Sequence, residues 1–203
     1  MISHSKKFIF IHIPRTGGTS IENALIKYSE GELNSGGAGR WFPDRVLEMY
    51  ILKILGKEKL ENAKHLTALD WKKILGSRYD NYYKFTIIRN PLNKIESFNN
   101  FDTRLDVTES MDKWKWNQSM FFKYYLLYYS HFHGNNIVDN IFKFENLEES
   151  WKIICNVLKL ENTFLPHYNN SNIIPKDGTN FNKKQLDSLK ILLKDELKKL
   201  KYE

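Results

Sequence analysis

The stretch Phe8-Ile-Phe-Ile-His-Ile-Pro-Arg-Thr-Gly-Gly-Thr-Ser20 constrains the fold of this chain more than any other. Residues 8 to 13 form a short, nearly unbroken apolar run, the pattern of a strand buried on both faces of a parallel sheet. The chain must then turn at once. Pro14 ends the strand, Gly17 and Gly18 permit positive φ and close approach of a ligand to the backbone, and Thr19-x-x-Glu22 fits a capping box for a helix. Ile21, Ala24, Leu25 and Tyr28 fall on one face of that helix. Strand, glycine turn and helix N-terminus together bring backbone N–H groups and the positive end of a helix dipole to one point, which is an anion site. Arg15, Thr16, Thr19 and Ser20 add a cation and three hydroxyls, so the expected guest is a phosphate. A tight turn with no ligand is the competing reading, and the run Arg-Thr-Gly-Gly-Thr-Ser at a strand-to-helix junction argues against it.

The cation here precedes the glycines, whereas a Walker A loop closes on Gly-Lys-Ser/Thr. A magnesium-dependent nucleotide or small-molecule kinase of the P-loop type is thereby disfavoured. It stays open as the alternative, with Glu145, just after a predicted strand, as its metal carboxylate.

A second segment, Lys84-Phe-Thr-Ile-Ile-Arg-Asn-Pro-Leu-Asn-Lys-Ile-Glu-Ser97, also points to an anion. It predicts a buried strand over residues 85 to 88, Arg89 at its C-terminal end, and a helix opened by Pro91. Lys94 and Ser97 are three apart and share a helical face. Arg89 and Ser97 can therefore converge on one anion at the strand C-termini, where open α/β sheets bind ligands.

These segments carry a resemblance. His12-Ile-Pro-Arg-Thr-Gly-Gly-Thr-Ser20 resembles the 5′-phosphosulfate loop of sulfotransferases that use 3′-phosphoadenosine-5′-phosphosulfate (PAPS), in particular the carbohydrate O-sulfotransferase branch. Arg15 stands where that family usually has Lys, a planar fork in place of a point charge. Arg89 to Ser97 is similar to the family's Arg-Asn-Pro-x-x-Arg-x-x-Ser, which holds the 3′-phosphate, with Lys94 in place of the second Arg. Lys64-His-Leu-Thr-Ala68 resembles a Lys-His-x-Thr-Ala pattern, Phe144-Glu145-x-Leu147 a Phe-Glu-x-Leu sequence, and Leu165 to Asn172 a Pro-His-x-Asn-x-Ser segment.

The resemblance implies one α/β domain over residues 1–203, with a central, mainly parallel sheet flanked by helices in a P-loop-like sulfotransferase fold. It implies PAPS as co-substrate, bound by Arg15, Thr16, Gly17, Gly18, Thr19 and Ser20 at one end and by Arg89 and Ser97 at the other. Arg15 and His65 are the implied catalytic residues, and no metal is expected. A lone His is usually structural; His65 is named as general base because of the matching segment, and an ordinary His pKa near ~6.5 suits removal of a hydroxyl proton. The acceptor is a small molecule or a glycan. Asn170, Ser171 and Lys176 are further candidate contacts.

Composition bounds the alternatives. A chain of 203 residues with 41% hydrophobic and 14% aromatic residues holds one substantial core. Its formal charge of +7 suits anionic ligands, but much of the Lys excess lies in 183 to 201, on what reads as the solvated face of a helix, so nucleic acid is not the expected partner. Cys155 is the single cysteine and sits in an apolar stripe, so it reads as core. No secretory or membrane-length apolar segment is visible, and a cytoplasmic protein is expected.

The remaining periodicities predict helices over Val46 to Leu60, Leu69 to Leu75, about Met111 to Ser130, Glu145 to Leu158 and Asn182 to Leu200. They also predict a strand over Ile137 to Phe144 and a polar, Gly-rich loop over Glu30 to Gly39. Within 101–134, Asp102, Arg104 and Asp106 are candidate sugar contacts. His131-x-His133 has no third ligand at metal-site spacing.

Overall fold

The structure, a computed structural model, describes residues 1–33, 41–99, 137–161, 164–166 and 183–202. The chain divides into two compact units, Met1–Ile88 with Tyr124–Asn169, and Arg89–Lys123 with Asn170–Glu203.

The first unit contains a mixed, mostly parallel sheet flanked by helices, as the resemblance implied. Strands β1 (Ile2–Ser3) and β2 (Phe8–Ile11) run antiparallel, and β3 (Gly31–Leu33) pairs with β4 (Trp41–Pro43) in a separate two-stranded sheet. Strands β5 (Tyr83–Ile88) and β6 (Asn140–Lys143) complete the main sheet in the order β1-β2-β5-β6, with β2, β5 and β6 parallel. All four residues of β2 are fully buried, which is why that strand reads as an unbroken apolar run rather than an alternation. The strand stops at Ile11, two residues short of the apolar run, because the chain leaves the sheet ahead of Pro14.

The register places Phe10 opposite Phe85 and Ile11 opposite Thr86. Phe85 is the hub of an aromatic cluster. Its ring centroid is 5.2 Å from Phe10, 5.6 Å from Tyr83, 6.3 Å from Phe8 and 6.4 Å from Phe142. Side chains two apart along a strand share a face, so the row Phe8, Phe10 continues to His12, whose ring stacks on Phe10 at 5.7 Å. On the other face, the Thr86 hydroxyl donates to Ile11 O at 2.8 Å. The sheet thus delivers the imidazole of His12 to the point where the strand ends.

Five α-helices are described in this unit: α1 (Gly18–Leu25), α2 (Arg45–Leu55), α3 (Lys57–Glu61), α4 (Ala68–Leu75) and, after α5 (Pro91–Asn99) of the second unit, α6 (Leu147–Leu158). The expected helix over Val46 to Leu60 is two helices. Gly56, at φ 90°, turns the chain between them, and only Leu47 and Ile51 of α2 are buried. Helix α6 buries Trp151, Ile154, Cys155 and Leu158 of the expected stripe and leaves its first member, Leu147, half-buried. The polar stretch read as a loop from Glu30 begins instead with β3, whose Gly31 lies so close to Phe42 that an added Cβ would fall 2.1 Å from that residue's carbonyl oxygen.

Helix α4 starts with a capping box between Thr67 and Asp70. The Thr67 hydroxyl oxygen accepts from Asp70 N at 3.2 Å, and Asp70 Oδ2 accepts from Thr67 N at 2.9 Å. Asp70 Oδ2 also accepts from Lys59 Nζ at 2.8 Å. The box fixes where α4 begins, and so where the short helical turn Ala63–His65 before it must end.

In the second unit the described elements are α5 (Pro91–Asn99), α7 (Lys183–Leu192) and α8 (Lys194–Lys199). The final helix, expected to run unbroken from Asn182 to Leu200 with Leu186, Leu189, Leu193, Leu197 and Leu200 on one face, is divided at Leu193; the last four of these are buried and Leu186 is half-buried. The helix expected over Met111 to Ser130 lies outside the described residues.

Phe85→Ala removes the hub of the aromatic cluster. It is expected to lower unfolding stability by about 3–5 kcal/mol, read as a lower urea midpoint at unchanged slope. A loss below about 1 kcal/mol would show that the cluster collapses around the gap.

Candidate active site

The loop from His12 to Gly18 joins β2 to α1 through two left-handed residues. Gly17 has φ 80° and Arg15 has φ 66°. For a residue with a side chain that conformation costs about 1–3 kcal/mol, and such strain persists where the surrounding structure imposes it. Gly17 is required twice over, since a Cβ there would also meet the Phe144 ring at 2.8 Å. The Thr16 side chain is fully buried and its hydroxyl donates to Ile13 O at 2.8 Å, so it staples the loop to itself. Ser20 N–H returns to Gly17 O at 3.1 Å, closing the first turn of α1. The opening N–H groups of a helix have no intrahelical acceptor, which leaves this turn suited to an anion.

The expected capping box Thr19-x-x-Glu22 does not form. Gly17 occupies the N-cap position of α1 with no side-chain cap, and Glu22 points into the core. The helix buries Gly18, Ile21, Glu22 and Leu25, the i, i+3, i+4, i+7 stripe, so Glu22 stands where an apolar residue normally would. Its carboxylate is held from two directions. Oε1 accepts from His12 Nδ1 at 2.6 Å, and Oε2 lies 3.3 Å from Lys64 Nζ.

These contacts bring His65 to the loop. Its Nδ1 is 3.0 Å from His12 O, and the two rings stand edge to face with centroids 4.8 Å apart. A carbonyl only accepts, so Nδ1 of neutral His65 carries the proton and Nε2 carries the basic lone pair. On its other side the His12 ring packs against the start of α1. A Cβ on Gly18 would lie 2.2 Å from both Cδ2 and Nε2 of that ring, so only glycine fits.

The charges follow from burial. Desolvation pushes His12 below its usual pKa, with Glu22 opposing, so the ring is neutral. Burial alone would raise the Glu22 carboxyl, but the hydrogen bond from His12 and the charge of Lys64 more than offset it and hold Glu22 ionised. Burial takes His65 down to about 3. The cluster is a buried carboxylate, a lysine and two neutral imidazoles packed beneath the turn that opens α1.

In the second unit the Asn90 side chain caps α5, its Oδ1 accepting from Leu92 N at 2.9 Å, and Pro91 takes the first helical position. Arg89, Lys94 and Ser97 are all buried. Burial lowers Lys94 to about 7 and raises Glu196 to about 7, each countered by the other's charge. Unlike the Arg it replaces in the family pattern, Lys94 can therefore shed its proton near neutrality.

A family model described as the sulfotransferase family matches residues 1–200. The chain belongs to the sulfotransferase family. The match runs across both units, and no curated protein and no solved structure gives a significant match beside it.

For this sulfotransferase, sequence reasoning named the loop residues Arg15 to Ser20 and His65, and the structure places His65 against His12, at the head of that loop. It missed Glu22 and Lys64 as site residues and used His12 only as part of a motif. The available signal was a glutamate in an otherwise apolar helical stripe. Glu145, the metal carboxylate of the kinase alternative, is exposed. Among the described residues no group of three or more His, Cys, Asp or Glu could hold a metal ion, and no helix is long and apolar enough to cross a membrane. Asp102, Arg104, Asp106, His131, His133, Asn170, Ser171 and Lys176 lie outside the described residues.

The His65 shift has a stability consequence. Its pKa is about 3 in the fold against 6.5 for the ordinary side chain, so the unfolded chain binds the extra proton between those values. The contribution is complete above about pH 6.5 and is lost as pH falls toward about 3, at up to about 1.4 kcal/mol per unit. Urea unfolding of His65→Gln should show a shallower loss over that window than the parent chain. Identical slopes would mean that His65 is exposed enough to titrate normally.

Proposed function

We propose that this sulfotransferase moves a sulfonate group from PAPS to a hydroxyl of a carbohydrate or similar small acceptor, with His65 as general base and Arg15 as the charge-stabilising cation. The observation that supports this most is the junction of three parts that such a transfer needs: a helix-opening turn suited to an anion, a cation in its loop, and a neutral His65 packed on the His12 ring that abuts the start of the same turn.

PAPS supplies an electrophilic sulfur and a stable phosphate leaving group. His65 Nε2 accepts the proton of the attacking hydroxyl as the new O–S bond forms and the S–O bond to the 5′-phosphate breaks. The anionic charge of the co-substrate beside His65 raises its basicity above that of the empty site. Arg15 and the first-turn N–H groups of α1 stabilise charge growing on the departing phosphate oxygen. Thr16, Gly17, Gly18, Thr19 and Ser20 shape that turn, and Arg89 with Ser97 holds the 3′-phosphate, an assignment supported by the Arg-Asn-Pro pattern. The transferred sulfonate bears one negative charge, so fixed cations can serve where phosphoryl transfer uses magnesium.

The test is transfer from PAPS to a panel of mono- and oligosaccharides, read as sulfonated product by mass spectrometry. His65→Ala should cut turnover by about 10²- to 10⁴-fold while leaving affinity for adenosine 3′,5′-bisphosphate nearly intact. Magnesium-dependent phosphoryl transfer from ATP, with no transfer from PAPS, would overturn the proposal in favour of a kinase.

A further inference from the structure

Glu22 is 0% exposed, yet nothing in the transfer chemistry above requires a carboxylate there. Its two oxygens hold two different segments of chain. Through Oε1 it fixes the side chain of His12, the residue that opens the anion loop. Through Oε2 it pairs with Lys64, the chain neighbour of His65, and so ties the turn Ala63–His65 to α1. His65 hangs between the two ties, bonded to His12 O and packed edge-on to the His12 ring.

A carboxylate bound by only one of these segments would leave the other free to shift, because the turn carrying His65 and the loop carrying Arg15 belong to stretches about 50 residues apart in the chain. Burial makes the arrangement demanding. An ionised carboxylate out of water needs compensating charge as well as hydrogen bonds. Oε1 accepts from His12, while Oε2, which accepts no hydrogen bond among the described residues, is compensated by the charge of Lys64 at 3.3 Å, so the carboxylate's charge depends on both segments staying in place.

We propose that Glu22 is the positioning residue of the transfer site, its carboxylate bridging the anion loop through His12 and the base-bearing turn through Lys64 so that His65 presents an unprotonated Nε2 to the loop. This rests on His65 being the base, as proposed above. Glu22 touches neither acceptor nor co-substrate and acts through its neighbours.

Two variants of the full chain test it. Glu22→Gln keeps an acceptor for His12 Nδ1–H but loses the charge that holds Lys64. Glu22→Gln/Lys64→Met also removes the cation, and it keeps the test valid if the single variant folds poorly. Long-range ¹H–¹⁵N spectra of the imidazoles, recorded near neutral pH with adenosine 3′,5′-bisphosphate bound, report the His65 tautomer directly. The parent chain should show His65 in the Nδ1–H form alone, and both variants a mixture of tautomers, with bisphosphate affinity within about threefold of the parent. In the saccharide assay kcat should fall by roughly 10-fold or more at an unchanged KM for PAPS, because misplacing a base costs rate rather than binding.

A single His65 tautomer that persists in both variants would overturn the proposal. So would a His65 in the parent chain whose lone pair lies on Nδ1. The spectra do not depend on turnover. If His65→Ala transfers sulfonate normally while the tautomer still responds to Glu22, the base assignment fails and the positioning role of Glu22 stands.

Discussion

A carboxylate with no exposed surface costs several kcal/mol of desolvation unless charges and hydrogen bonds surround it. Glu22 has a hydrogen bond from His12 on Oε1 and the charge of Lys64 at 3.3 Å from Oε2, and much of the first unit is arranged to supply them. The aromatic row along β2 and β5 carries the His12 ring to the end of its strand. The Thr67–Asp70 capping box stops the turn that bears Lys64 and His65. Gly18 gives the His12 ring the space a methyl group would take. Changing any one of these partners leaves a buried charge or a clash, so the constraint is mutual.

The same arrangement gives a loop of ordinary residues the form of an anion site. Left-handed backbone at Arg15 and Gly17 folds the chain tightly enough that α1 begins at once, with its dipole end toward the loop. The strain at Arg15 is balanced by the Thr16 staple to Ile13 and by the packing beneath. Two neutral imidazoles under that turn fit the site for chemistry on a bound anion, because an imidazole without charge can accept a proton and an imidazolium cannot. In the second unit Asn90 and Pro91 set the start of α5, and with it the register of Lys94 and Ser97 along the helix.

Where the physics was local, the sequence was legible. The apolar runs gave β2 and β5, Pro91 gave the start of α5, and the leucine and tryptophan stripes gave the buried faces of α6 and of the C-terminal helices. The errors came from long-range partners. Glu22 three residues after Thr19 has the spacing of a capping box, but a carboxylate that finds His12 and Lys64 is more stable there than at a helix end already opened by a left-handed glycine. Gly56 inside a helical periodicity could be read as a tolerated glycine, and its positive φ makes it a break. His65 was named through the family pattern. Its bond to His12 O depends on residues 53 positions away, which no local spacing encodes.

The central claim is that this chain holds a nucleotide carrying both a 5′- and a 3′-phosphate. The most direct test is calorimetric affinity for adenosine 3′,5′-bisphosphate beside ADP and ATP, without and with magnesium, on the parent chain and on Arg89→Ala. Charged hydrogen bonds to a 3′-phosphate are worth about 1.5–3 kcal/mol, so the bisphosphate should bind roughly 10- to 100-fold more tightly than ADP and lose that margin in the variant. Binding that is weaker than that of ATP, or that requires magnesium, would contradict the account.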